Sequence, residues 1–162
     1  MNIEQKELVI IVSDAISEFN LRERYLLDRN LSERCICSKF ASYLERALIG
    51  TKYSGYDVDV EYNRGMNGNE YAKKRLFGKN AIVDLIVHKR GYDYENSRFH
   101  NLICIEMKKR GGQRNLCYDK NRLSTMTDFS CGFNYQIGFM LIARKSGIVI
   151  DKIFPNERDG DY

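Results

Sequence analysis

The sequence predicts an α/β (α+β) fold, a central mixed β-sheet flanked by helices, with extra helices at the N-terminal end. Three observations carry this. Apolar residues recur at helical spacing before residue 50, strand patterns run from Tyr56 to Lys108, and one helical segment separates these from two further strands. The 162 residues fit one domain, 1–162, with enough chain to bury a core.

From Ile3 to about Leu27, Leu8, Ile11, Val12, Ala15, Ile16 and Phe19 repeat at helical spacing, which predicts one or two amphipathic helices. Ser32 is placed to cap the next helix, whose stripe Cys37, Phe40, Ala41, Leu44, Ala47 and Leu48 stops at Gly50. Tyr56 to Tyr62 alternates strictly, the signature of a half-buried strand. Arg64 to Lys79 reads as a polar, basic loop in which Glu70 to Phe77 is expected to form a short helical turn. Ala81 to His88 and Leu102 to Lys108 read as strands joined by a polar hairpin around Gly91 to Arg98. Asp119 is expected to cap a helix through about Phe129, before strands at Tyr135 to Ala143 and Gly147 to Phe154.

Composition sets limits but selects no chemistry. Hydrophobic residues make up 43% and charged residues 30%, with 12 glycines and a single proline, a balance unlike that of a disordered chain. The formal charge of +4 is compatible with a polyanionic partner without requiring one. Five cysteines without a CxxC pair suit buried free thiols in a reducing compartment. The longest early apolar run, Leu8 to Val12, is too short for a signal core or a membrane span, so the expectation is a cytoplasmic protein with no membrane partner.

Two carboxylates stand where aliphatic residues belong. Asp84 interrupts AIVDLIV and Glu106 interrupts LICIEM, and an unpaired buried carboxylate costs on the order of several kcal/mol. Lys108 lies two residues beyond Glu106 and so shares its strand face. If the two strands pair, Asp84 and Glu106 converge beside the Lys108 ammonium. A hard cation with oxygen ligands relieves such a cluster, and Mg²⁺ held by one or two carboxylates keeps waters and accepts phosphate oxygens. Lys108 would then orient the attacking water or offset charge on the transition state. The bland alternative is an ion pair that staples two strands.

Asp84 in IVDLIVH, followed by Glu106-Met107-Lys108 in LICIEMKK, resembles the PD-(D/E)xK, or restriction-endonuclease-like, nuclease superfamily. The resemblance implies an αβββαβ core over roughly Leu31 to Ala143, Mg²⁺ as cofactor with Mn²⁺ as a substitute, and hydrolysis of DNA phosphodiesters. The superfamily's proline before the aspartate is Val83 here, which removes no ligand. Glu33 in SERCICSKFASYLE matches the glutamate that members often carry on the helix before the sheet. It shares the core-facing direction of Cys37, Phe40 and Leu44, and a favourable helix-dipole interaction explains it equally well. The EYNR of Glu61 to Arg64 resembles a recurring strand end in small members. Glu61 there is either a further ligand or a surface pair, and Arg64 a phosphate contact. His88 and Gln136 have site roles or structural ones.

Lys73, Lys74, Arg75 and Lys79 precede the Asp84 strand, and Lys109, Arg110 and Arg114 follow the Glu106 strand, so both segments suit phosphate contact. Tyr71 and Phe77 could stack on bases of a single strand. Gly111 and Gly112 form no phosphate-binding fingerprint, so ATP-dependent chemistry is not expected. Asp119, Lys120 and Leu123 lie where superfamily members place supporting residues. DNA is the expected partner, with RNA an alternative, and a second copy or a partner protein would supply targeting. A non-catalytic binding domain of the same fold is the competing reading.

Overall fold

The computed structural model describes residues 1–29, 31–62, 65–67, 70–72, 75–76, 79–80, 82–90, 100–109, 116–128, 130 and 133–157, with backbone alone within 65–80. Helices α1 (Ile3–Arg22), α2 (Arg24–Asp28) and α3 (Glu33–Leu48) come first. Strands β1 (Asp57–Val60), β2 (Gly65–Asn67), β3 (Glu70–Ala72), β4 (Arg75–Leu76), β5 (Lys79–Asn80), β6 (Leu85–His88) and β7 (Asn101–Lys109) follow, then α4 (Leu116–Thr127), β8 (Ile137–Arg144) and β9 (Gly147–Pro155). The fold is α+β: a mixed open sheet of five strands, in the order β1-β6-β7-β8-β9, flanked by helices. Among the described strands only the β7–β8 pair is parallel, because α4 carries the chain back between them.

Local chemistry fixes the helix starts. Asn2 and Gln5 form a reciprocal capping box on α1, and the Ser32 hydroxyl accepts from the Cys35 N–H at 3.2 Å to open α3. Gln5 does more than cap, since its buried Nε2 donates to the carbonyls of Gln136 at 3.1 Å and Asn156 at 2.9 Å. The apolar stripes of α1 and α3 cover one face of the sheet, where Leu8, Phe19, Phe40 and Leu44 join Ile103, Ile105 and Phe139 in one core cluster. Phe19 meets Phe40 and Tyr43 edge-on, each contact contributing about 1 kcal/mol beyond burial. On the other face Leu123 and Met126 of α4 pack with Ile86, Cys104 and Met140.

Several expectations need correction. The segment expected to form a helical turn, Glu70 to Phe77, instead contains β3 and β4, paired antiparallel with β2 and β5. Gly-Asn lies between β2 and β3 in the sequence, a pair suited to a hairpin. The strand expected from Ala81 begins only at Leu85, and Asp84 sits in a bend just ahead of it. Helix α4 starts at Leu116, so Asp119 lies in its first turn and is not its cap, and the helix ends at Thr127. The strict alternation of Tyr56 to Tyr62 breaks at Glu61, whose φ of 52° lies in the left-handed region. Tyr62 consequently packs with the α4 cluster, while Tyr56 and Val60 stay with the α1 and α3 cluster. The hairpin around Gly91 to Arg98 lies outside the described residues.

Candidate functional site

The antiparallel register Leu85↔Ile105, continued one step back, sets Asp84 opposite Glu106. Where the ladder would continue, the Asp84 side chain replaces it: Oδ2 accepts the Met107 N–H at 2.7 Å. Its carbonyl accepts the Glu61 N–H at 3.1 Å and the Cys37 thiol at 3.5 Å. Alternation along β7 turns Ile103, Ile105 and Met107 toward the α1 and α3 core, and Cys104, Glu106 and Lys108 toward α4. Glu106 is fully buried, whereas the Lys108 side chain keeps 17% of its exposure.

Two helices close the cluster. From the first turn of α3, Glu33 accepts from Lys108 Nζ at 3.1 Å with one oxygen and from the Lys109 N–H at 3.0 Å with the other. From α4, Asp119 Oδ2 lies 3.4 Å from Lys108 Nζ. Arg122 Nη2 donates to Asp119 Oδ1 at 2.9 Å and stands 2.5 Å from Glu106 Oε1, while Nη1 donates to the Ile82 carbonyl at 2.6 Å. Four carboxylates thus face two cations, an excess of negative charge in a poorly solvated place.

The titration behaviour follows from that imbalance. Burial first, and then the neighbouring Asp84, push the Glu106 carboxyl up to about 9, against the lowering influence of Arg122. Asp84 is also raised by burial, although the Met107 N–H and Lys108 pull it down. Burial lowers Lys108, but Glu33, Asp119 and Asp84 outweigh it and hold the ammonium above its ordinary value. Cys37, buried beside Asp84, is pushed well up and stays a thiol.

Asp84 and Glu106 are the pair that could hold a divalent cation. Beyond the Arg122 ion pair no aligned donor reaches the buried Glu106 oxygens, and the carboxyl meets Asp84 directly, an arrangement that suits a hard cation. Among the described residues, no three His, Cys, Asp or Glu side chains form a metal-binding group.

The remaining expected residues distribute unevenly. Glu61 is held by Arg34 Nη2 at 2.5 Å on the surface beside Asp84. His88 points its Nε2 at Asp59, 2.8 Å away, and its ring meets Tyr62, at the end of β6 away from Asp84. Gln136 precedes β8, and its N–H donates to the Asn101 carbonyl at the start of β7. That is five residues, roughly 16 Å of strand, from Glu106. Lys109 Nζ donates to the Leu31 carbonyl at 2.8 Å, Lys120 pairs with Asp151 at 3.0 Å, and Leu123 is core. Arg75 lies in β4 and Lys79 in β5. Arg64, Lys73, Lys74, Phe77, Arg110, Gly111, Gly112 and Arg114 lie outside the described residues. Arg122 was not anticipated, though its spacing of three from Asp119 on a helix was a usable signal.

Among the described residues no helix is long and apolar enough to cross a membrane. No protein-family model, curated protein or solved structure matches the chain.

Proposed function

We propose that the protein is a metal-dependent nuclease with a restriction-endonuclease-like core, hydrolysing phosphodiester bonds of DNA. The observation that carries this is the meeting of Asp84 and Glu106 across β6 and β7, with Lys108 one strand repeat away and carboxylates in excess. The order α3-β1-β6-β7-α4-β8, with three antiparallel strands and a fourth parallel to the third, supports the αβββαβ reading.

Asp84 and Glu106 would hold Mg²⁺, or Mn²⁺ in its place, which supplies Lewis-acid charge for a phosphoryl oxygen and acidifies bound water. Lys108 has its ammonium anchored by Glu33 and Asp119, leaving N–H capacity for a water or a phosphate oxygen. Because its affinity for the proton is raised, it stays charged near neutral pH. It would therefore orient the water and offset developing charge. Glu33 is the positioning residue that fixes Lys108.

Purified protein with Mg²⁺ is expected to nick or degrade DNA, and Lys108→Ala to lose that activity; undiminished cleavage by the variant would remove Lys108 from the mechanism. RNA offered in the same assay tests the substrate. A non-catalytic DNA-binding domain is favoured by one observation, the Arg122 guanidinium already seated on Glu106. That reading requires salt-sensitive binding without cleavage and no heat of Mn²⁺ binding that Asp84→Asn abolishes.

A further inference from the structure

A cleft of about 400 Å³ opens beside the candidate site. Its floor is apolar, formed by the buried side chains of Leu27 on α2 and Ile36 on α3. Its rim is Lys109 at the end of β7 with Arg144, Lys145 and Ser146 where β8 turns into β9, and no acidic residue lines it among the described residues. The odd-numbered side chains of β7 face α1 and α3, so Lys109 and the cleft lie across the strand from Lys108. Glu33 joins the two sides, one oxygen on Lys108 Nζ and the other on the Lys109 N–H.

The rim is held in place. Asn20 of α1 clamps the start of β9, donating to the Ile148 carbonyl at 2.9 Å and accepting its N–H at 2.7 Å. Gly147 makes this possible: its φ is 141°, and a Cβ there would fall 2.8 Å from the Asn20 amide. Arg144 and Lys145 are exposed and have no ion-pair partner among the described residues. Unpaired cations on a fixed rim above an apolar floor match a ligand with phosphates and a flat apolar ring. The volume is within the range of about 300–1,000 Å³ for small-ligand pockets. That volume takes a single nucleobase rather than a double helix.

We infer that this cleft binds a single strand of nucleic acid, seating the nucleotide next to the scissile phosphate with its base on Leu27 and Ile36 and its flanking phosphates on Arg144 and Lys145. The position of the scissile phosphate rests on the nuclease reading; binding to the cleft does not.

The test is fluorescence anisotropy of a short labelled oligodeoxythymidylate and its uridylate counterpart, in chelator so that nothing is cut, over a salt series. Arg144→Ala/Lys145→Ala is expected to bind roughly tenfold more weakly, and its salt slope to shrink by about 1.4. The charge-matched Lys6→Ala/Lys152→Ala, outside the cleft, is expected to retain most of the affinity. Absence of binding by the wild type, unchanged binding by the rim variant, an equal loss in the control, or an equal loss for duplex DNA would each overturn the inference. Thermal melting checks that the rim variant is folded. If rim-dependent binding is found but the wild type with Mg²⁺ cuts nothing, the strand site stands and the nuclease reading, with its placing of the scissile phosphate, falls.

Discussion

Replacing Glu106 by glutamine separates the cost of the buried acid from the rest of the fold. In the folded chain Glu106 keeps its proton to about pH 9, against an ordinary value of 4.5. Between those limits the folded state binds more protons than the unfolded one, so the metal-free protein loses stability as pH rises. At about 1.4 kcal/mol per pH unit, the window from about 5 to about 8 amounts to roughly 4 kcal/mol. The amide of Glu106→Gln is neutral at every pH and nearly isosteric. It can turn its oxygen to Arg122 and its NH₂ to Asp84, so it avoids the cost.

Urea unfolding of both proteins in chelator, at about pH 5 and about pH 8, reads the difference directly. The two should be nearly equal at the lower pH, and the glutamine variant more stable by about 4 kcal/mol at the higher. Shared groups, including the raised Asp84, largely cancel in the comparison. Saturating Mn²⁺ should then stabilise the wild type at the higher pH and leave the variant unmoved. Parallel stability curves, or a variant less stable than wild type at about pH 8, would refute both the buried-acid argument and its cause.

Three further perturbations reach other parts of the argument. Arg122→Gln removes the guanidinium that a cation must displace from Glu106, so calorimetric Mn²⁺ affinity should rise about tenfold, and weaker or equal binding would deny the competition. Gly138→Val pushes into Cys104 and Thr127, each 3.2 Å from a Cβ built on Gly138, and should cost about 1–3 kcal/mol in urea unfolding. Gln5→Ala strips the buried donors from the Gln136 and Asn156 carbonyls and half of the α1 capping box, so the unfolding midpoint should fall by the equivalent of about 2 kcal/mol; a change under about 0.5 kcal/mol would show that those carbonyls find other donors.

What the sequence disclosed, and what it hid, follows from how far each signal reaches along the chain. A carboxylate inside an aliphatic strand has few physical solutions, so Asp84 and Glu106 announced themselves, and period-2 geometry added Lys108. Glu61 broke an otherwise regular strand because a left-handed glutamate carries no mark in a hydrophobic pattern. Gln136 was misplaced for a related reason: the apolar alternation begins at Tyr135, while strand pairing begins only at Ile137. The polar segment that holds β2 to β5 has no periodicity from which short hairpins could be read. Arg122 was hidden by tertiary structure, since an Asp and an Arg three apart on a helix ordinarily form a solvated pair. Only the crossing of α4 over β7 brings that guanidinium to Glu106 and to the Ile82 carbonyl. Even so, Asp119 and Arg122 add one charge of each sign. The count of carboxylates over cations already legible in Glu33, Asp84 and Glu106 against Lys108 is therefore unchanged, and what the structure adds is burial, which answers part of the excess by keeping the proton on Glu106.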